Sequence, residues 1–350
     1  MKYWLSRAAL FLAFIVMALT FLNASWLAPK PVGAVKLVAH RGVAQQFSRV
    51  GMDKGGCSAN RIERPVHDYI ENTTRSMSMA SRLGGDMIEM DVAPTADGRI
   101  AIFHDWTLDC KTDGHGDVRS KTLAGLKALD VGYGYTADAG KSFPLRGLRK
   151  DMIPSLEEAL GTVPNTPILY NFKSDDPAEA DRLFAALTAA RRNVEEIGDA
   201  FYGPPAPVAR MKQHYPRSWS YSLEAAKRCT KEYLLTGWIG HVPESCRDGV
   251  IIVPINQQWL FWGWPNRLAA RMNKVGAKLV VTGPYHRGVS NAGLTLPEQL
   301  GDVPSTFKGY IWVEDIWTVG PALRPNRDVR TEAQQDAASQ GLARRRASGQ

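Results

Sequence analysis

Short apolar runs alternate with amphipathic stretches along residues 36–323, and no other feature limits the possible folds as strongly. The runs fall at 37–39, 86–92, 100–103, 167–173, 219–221, 250–254, 278–283 and 309–315. Most are short and rich in Val, Ile, Leu or aromatic side chains, which marks buried strands. Helical spacing recurs between them. Ala180, Leu183, Phe184 and Leu187 make one apolar face over 177–191, and Leu268, Ala269 and Met272 another over 265–275. Asn72 or Thr73 can cap a helix carrying Met77, Met79, Ala80 and Leu83, and Ser155 can cap another with Glu157 and Glu158 in its first turn. About eight strands alternating with helices predict an α/β (β/α)8 TIM barrel before a doubly wound sheet.

Two stretches interrupt the pattern. Residues 43–70 are too long for an ordinary strand-to-helix loop and read as a lid-like insertion. Residues 106–150, rich in Gly and charge, form a second excursion on the same side. Residues 93–99 are too few for a crossover helix. They permit a hairpin about Asp97-Gly98, which sets Asp91 opposite His104. They also permit an extended return and a parallel strand, which puts the two at adjacent carboxyl ends. Both bring these side chains together.

Residues 1–28 carry Lys2 and Arg7 ahead of an apolar run over 8–22. Basic, then apolar, then polar is the order of an export segment. Cleavage after Ala24 or Ala28 would place Leu22 or Trp26 where a small residue is wanted, so an uncleaved transmembrane anchor is favoured over a signal peptide. The expected location is the periplasmic or extracellular side of the inner membrane, or secretion if the segment is removed. The four Cys all lie beyond it, an even number suited to disulfides in an oxidising compartment. Cys57 and Cys110 sit in loops that leave the same barrel face, and Cys229 and Cys246 flank one local stretch. The expected bonds are Cys57–Cys110 and Cys229–Cys246.

Net charge is 43 − 35 = +8. Residues 324–350 supply +3 of it, from six Arg against three acids, and read as a disordered polar tail. The remainder is scattered, which fits a solvated basic surface or attraction to anionic lipid and not a nucleic-acid partner.

Polar residues collect where strands end. Leu37-Val38-Ala39 stops on His40-Arg41-Gly42. Glu89 and Asp91, two residues apart, share one face of their strand. His104 ends the next run, and Asn171 and Lys173 share a face of the one after. In a barrel all of these converge on the carboxyl-end face. Glu89, Asp91 and the Asn171 oxygen are hard donors suited to Mg²⁺ or Ca²⁺. His40 and His104 can serve as acid and base, and Arg41 and Lys173 can hold a phosphate. Metal, two imidazoles and two cations around one point make a phosphodiester-cleaving site.

The order of these motifs resembles the glycerophosphodiester phosphodiesterase family. The resemblance rests on Ala39-His40-Arg41-Gly42, Glu71-Asn72-Thr73, Glu89-x-Asp91-Val92, Asp97-Gly98, His104-Asp105 and Asn171-x-Lys173, and covers residues 36–175 well. It implies a catalytic barrel over 36–323, a divalent metal on Glu89, Asp91 and Asn171, and acid–base roles for His40 and His104. Arg41, Lys173, Glu71 and Asn72 are implied to bind substrate or phosphate. The implied reaction is hydrolysis of a small-molecule glycerophosphodiester to glycerol phosphate and an alcohol, through a cyclic phosphate made by the neighbouring glycerol hydroxyl. Two departures stand out. Asn171 replaces the Glu of the family's Glu-x-Lys, which should weaken metal binding or change the preferred ion. The insertion 43–70 should cover the site and restrict the alcohol group accepted. A phospholipase D-like activity on lysolipids or sphingolipids is the alternative, permitted by the anchor and by Trp259, Phe261, Trp262 and Trp264. A non-catalytic anchored binding module is the other, with Asn171 as its only support.

Overall fold

The computed structural model describes residues 2–53, 55–148, 152–287 and 293–347. Nine strands form: β1 (Lys36–His40), β2 (Met87–Pro94), β3 (Ile100–Ile102), β4 (Ile168–Asn171), β5 (Ala200–Gly203), β6 (Trp219–Ser222), β7 (Val250–Pro254), β8 (Lys278–Thr282) and β9 (Tyr310–Val313). Eight of them run in the order β6-β5-β4-β2-β1-β9-β8-β7, and every pairing along this path is parallel. This is a nearly closed TIM barrel. Parallel strands covered by helices have two buried faces, which is why all eight residues of β2 are buried. The inward faces meet in one cluster containing Val38, Met87, Leu169, Tyr202, Val250 and Val280. Large aromatics fill the space, with Trp219, Tyr221, Tyr310 and Trp312 among them.

Among the described residues, β6 and β7 share no ladder. Side chains bridge this seam instead: Trp219 Nε1 donates to the Gly249 carbonyl at 3.2 Å, and the Ile252 amide donates to Thr230 Oγ1 at 3.1 Å. The Cys229–Cys246 disulfide lies beside the seam, tying helix Leu223–Thr236, which follows β6, to the short turn Glu244–Cys246 before β7. The second disulfide, Cys57–Cys110, joins the insertion to the loop after β3. Sequence separations of 17 and 53 residues correspond to about 3 and about 4 kcal/mol of lost unfolded-state entropy. Non-reducing peptide mapping of protein from an oxidising compartment is expected to give these two links; a 57–229 or 110–246 link would overturn this arrangement.

Three expectations need correction. The run at 100–103 is not a barrel strand: β3 pairs antiparallel with β2, Val92 facing Ile102 and Pro94 facing Ile100, so the return is a hairpin, but Phe103 and not His104 lies opposite Asp91. The eighth barrel strand is β5, which the sequence reading passed over. It has only four residues between Asp199 and Pro204-Pro205, too few to show a period. The tail is not disordered as far as it is described. Helix Glu332–Ala347 packs Ala338 and Gly341 inward, and buried Arg345 binds Glu63 at 3.1 Å and Asp315 at 2.9 Å. Low apolar content hid this packing, which relies on small residues, one buried ion pair to Asp315 and one half-buried pair to Glu63. Residues 348–350 lie outside the described residues, as do 1, 54, 149–151 and 288–292.

Among the described residues one helical span, Tyr3–Asn23, is long and apolar enough to cross a membrane, and its side chains are almost entirely exposed.

Candidate active site

The chain leaves β1 by a tight turn. Arg41 has φ 61° and Gly42 φ 79°. A Cβ on Gly42 would lie 2.7 Å from Ser76 Oγ and 2.8 Å from the Ser76 carbonyl carbon, at the start of helix Thr74–Arg82. Glycine is therefore required for both conformation and space. Thr73 caps that helix through Ser76, and the Asn72 amide donates to the Arg41 carbonyl at 2.9 Å. The two segments thus fix each other at the carboxyl end of the barrel.

Register sets the neighbours along this rim. His40 is paired with Glu89, Asp91 with Asn171, and Asn171 with Tyr202. Glu89 and Asp91 are both fully buried. Asn171 Nδ2 donates to Glu89 Oε1 at 3.0 Å and to Asp91 Oδ1 at 2.8 Å. Tyr202 Oη donates to Glu89 Oε1 at 2.6 Å. Lys173 Nζ lies 2.7 Å from Asp91 Oδ1, and Arg41 Nε 3.1 Å from Asp91 Oδ2. Burial would raise the Asp91 carboxyl, but Lys173 and Arg41 outweigh it and hold it well below the usual range. Glu89 goes the other way, pushed up by burial and by the charge on Asp91.

His104 Nδ1 sits 2.5 Å from Asp105 Oδ1. Buried Lys111 reaches Asp105 Oδ1 at 2.9 Å and Glu71 Oε1 at 2.7 Å, and Arg41 Nη1 donates to the same Glu71 oxygen at 3.0 Å. A continuous ionic network therefore runs from His104 to Asp91. His40 is held separately. Its Nδ1 lies 2.9 Å from Glu314 Oε2, its Nε2 lies 3.8 Å from Glu89 Oε2, and Trp312 packs on its ring. The other Glu314 oxygen binds Arg49, which belongs to the insertion. The insertion is thereby tied to the site by an ion pair as well as by the disulfide.

All nine site residues singled out from the sequence lie at this rim. Their partners differ from expectation. Asn72 is 3% exposed and uses both ends of its amide on Asp91, and Glu71 is clamped between Arg41 and Lys111. These two hold other side chains in place and offer little surface to a ligand. The sequence reading missed Glu314, Tyr202, Lys111 and Arg49. Glu314 comes directly after the last strand, much as His40 ends the first, so its position was a usable signal. Lys111 and Arg49 lie in irregular segments and gave none.

The charge pattern has a consequence for acid stability. Burial, reinforced by Arg41, pushes His104 down to about 4, and burial pushes His67 of the insertion to about 4. In the unfolded chain both titrate near 6.5. Below that value the unfolded chain takes up protons that the folded one refuses, so stability falls as pH drops from 6.5 toward 4. Glu71 acts in the same sense. Burial would raise it, but Lys111 and Arg41 hold it at about 2, against 4.5 when free. Its contribution is present above 4.5 and lost as pH falls toward 2. Thermal midpoints are expected to be level at neutral pH and to decline steadily under acid, by several degrees before pH reaches about 4. A constant midpoint over that range would contradict these burials.

Whether a divalent ion suits this donor set can be judged from the side chains. Among the described residues, no three His, Cys, Asp or Glu side chains converge on one point. Glu89 and Asp91 do share a neighbour in Asn171, whose amide lies within 3.0 Å of both carboxylates. A half-turn of that amide exchanges nitrogen for oxygen and presents a third oxygen to the pair. Two carboxylates and one amide oxygen, completed by water, fit Mg²⁺ or Ca²⁺ with one negative charge fewer than three carboxylates would supply.

Residues 40–200 match the model of the glycerophosphoryl diester phosphodiesterase family. The match covers a little under half of the chain. A glycerophosphodiester phosphodiesterase of Bacillus subtilis is 36% identical over 130 residues, which are 35% of this chain and 43% of the relative. One from Caldanaerobacter subterraneus is 35% identical over 103 residues, 29% of this chain and 39% of the relative. The chain thus spans about two fifths of the length of these relatives. The fold likeness reaches further. The crystal structure of a glycerophosphodiester phosphodiesterase from Agrobacterium tumefaciens aligns with 83% of this chain and 99% of its own, at a TM-score of 0.51 and 20% identity. A phosphodiesterase from Oleispira antarctica, solved with the product sn-glycerol-3-phosphate, aligns with 86% of this chain and 99% of its own, at a TM-score of 0.53 and 17% identity. The family match stops at residue 200, whereas Glu314 and Tyr202, which bind His40 and Glu89, lie beyond it.

Proposed function

We propose that this protein is a metal-dependent phosphodiesterase that hydrolyses glycerophosphodiesters to glycerol phosphate and an alcohol. The observation that carries the reading is the gathering of His40, His104, Arg41, Lys173, Glu89, Asp91 and Asn171 at one end of one barrel. The divalent ion, held by Glu89, Asp91 and Asn171, would supply positive charge for the phosphoryl oxygens.

The chain's own groups divide the remaining work. Arg41 and Lys173, half-buried beside Asp91, hold the phosphodiester anion. His104 is neutral near pH 7 because burial keeps it so, and it accepts the proton of the attacking glycerol hydroxyl. Asp105 orients it through Nδ1, leaving Nε2 for the substrate. His40 has Nδ1 occupied by Glu314, and through Nε2 it delivers a proton to the departing alcohol. The P–O bond to that alcohol breaks as the bond to the glycerol hydroxyl forms, which leaves a cyclic phosphate. Water then opens the ring with the two histidines exchanging roles. The insertion, held by Cys57–Cys110 and by Arg49, covers the site and limits the alcohol group.

The apolar helix and the disulfides support export, with the barrel held on the outer side of the membrane. A phospholipase D-like reaction on lysolipids or sphingolipids is the second reading, favoured by Trp259, which is 81% exposed in the segment after β7. The test is a panel of glycerophosphocholine, glycerophosphoethanolamine, glycerophosphoglycerol and lysolipids, each with and without Mg²⁺ and Ca²⁺. Release of glycerol phosphate from a soluble diester in the presence of an ion is expected. Turnover confined to lysolipids would replace the first reading by the second. Background rates throughout would leave a binding module.

A further inference from the structure

We infer that the flank of the barrel surrounding the foot of the apolar helix is a membrane-docking face, with Trp26, Leu27, Leu235, Trp238, Ile239 and Trp262 seated at the lipid headgroup level. This rests on reading Lys2–Asn23 as a membrane anchor. Its 22 residues reach about 33 Å as a helix, enough to cross a hydrocarbon core of about 30 Å.

The helix is not joined to the barrel by a free tether. Arg271, 8% exposed in helix Asn266–Lys274, directs its guanidinium at the helix end. Nη2 donates to the Leu22 carbonyl at 3.1 Å and Nη1 to Asn23 Oδ1 at 3.0 Å. The same Nη1 lies 2.9 Å from Tyr233 Oη and 3.0 Å from the Gly237 carbonyl, so one buried cation joins the anchor to two further segments. Asn23 Nδ2 donates to the Trp238 carbonyl at 2.8 Å. Ser25 Oγ accepts from the Asn266 amide at 2.9 Å, and Ala24 beside it is 2% exposed. Removing the helix would strip a buried guanidinium of two acceptors. A foot bonded in this way fixes where the bilayer surface lies relative to the barrel.

The surface around that foot is apolar. Trp26 is 73% exposed, Leu27 51%, Leu235 66%, Trp238 42%, Ile239 53% and Trp262 42%. The segments that carry them are bonded together: Trp262 Nε1 donates to the Leu234 carbonyl at 3.1 Å, the Trp262 carbonyl lies 3.5 Å from the Arg271 nitrogen that also binds Gly237, and Ser25, next to Trp26, is held by Asn266. Six such side chains in one patch are unfavourable in water and mark a contact surface. Tryptophan, apolar with one polar N–H, is the residue enriched at membrane interfaces. Continuity with the spanning helix selects the bilayer as the occupant over a second protein. From Trp262 the chain leads back through Trp259 to the carboxyl end of β7, so the docked face extends toward the mouth of the site.

The test uses the full chain in vesicles of phosphatidylethanolamine and phosphatidylglycerol. One sample receives a carbene label that partitions into the bilayer, another aqueous hydroxyl radicals, and both are read by peptide mass spectrometry. Carbene label is expected on residues 26–27, 235–239 and 262 as well as on the helix. Oxidation of Trp238 and Trp262 is expected to be several-fold lower than that of exposed Trp106, on the loop after β3. Label on the helix with Trp238 and Trp262 oxidised as readily as Trp106 would overturn the docking face while keeping the anchor. No label on the helix would overturn both. Neither readout depends on the proposed reaction.

Discussion

Replacing His104 with alanine is expected to lower turnover of a glycerophosphodiester by about 10²–10⁴-fold while the protein stays folded, and His40→Ala is expected to do the same. Each would remove one half of the proposed proton-transfer pair. The fold should survive for reasons visible around each ring. His104 is a group whose charged form burial disfavours, and its partner Asp105 keeps Lys111. His40 leaves Glu314 still paired with Arg49. Circular dichroism and thermal melting check the fold, and rates with and without Mg²⁺ or Ca²⁺ check the chemistry. A variant with near-wild-type turnover and unchanged metal dependence would remove that histidine from the mechanism. The orienting carboxylates should show intermediate losses, because they act only through the rings.

Substitution of Asn171 has the second largest expected effect, and stability reports it directly. In chelator, Asn171→Asp or Asn171→Glu replaces an amide donor lying 3.0 and 2.8 Å from two carboxylate oxygens with a third carboxylate. Crowding three buried negative charges should cost about 2–4 kcal/mol and lower the thermal midpoint by several degrees. Adding Ca²⁺ or Mg²⁺ should reverse this, because the ion neutralises the charges that caused it. Calorimetric affinity should rise about tenfold or more over the parent chain. Activity is free to move either way, since a better-neutralised ion is a weaker Lewis acid. Unchanged affinity for both ions would place Asn171 outside the coordination shell, and an unchanged midpoint in chelator would contradict the shared amide.

The sequence alone determined the architecture and the rim. Alternating apolar runs and helical faces were enough for the barrel, because burial follows periodicity wherever an element is long enough to show one. Polar residues at strand ends were enough for His40, Arg41, Glu89, Asp91, His104, Asn171 and Lys173, because a parallel barrel collects all of its strand ends on one face. The Cys57–Cys110 bond followed from the same geometry, and Cys229–Cys246 from closeness in sequence. Only the tertiary structure decided the rest. It chose the hairpin for β3, since the segment 93–99 allowed two returns and only packing distinguishes them. It supplied β5, whose four residues carry no period of their own, and with it Tyr202 on Glu89. It brought Glu314 to His40 across 274 positions and Arg49 to Glu314 across 265. It ordered the C-terminal helix through Arg345 between Glu63 and Asp315. Local pattern records which face a residue occupies. The partner that a charge finds on that face depends on segments far away in the chain, and the pairing exists only once the barrel has closed around it.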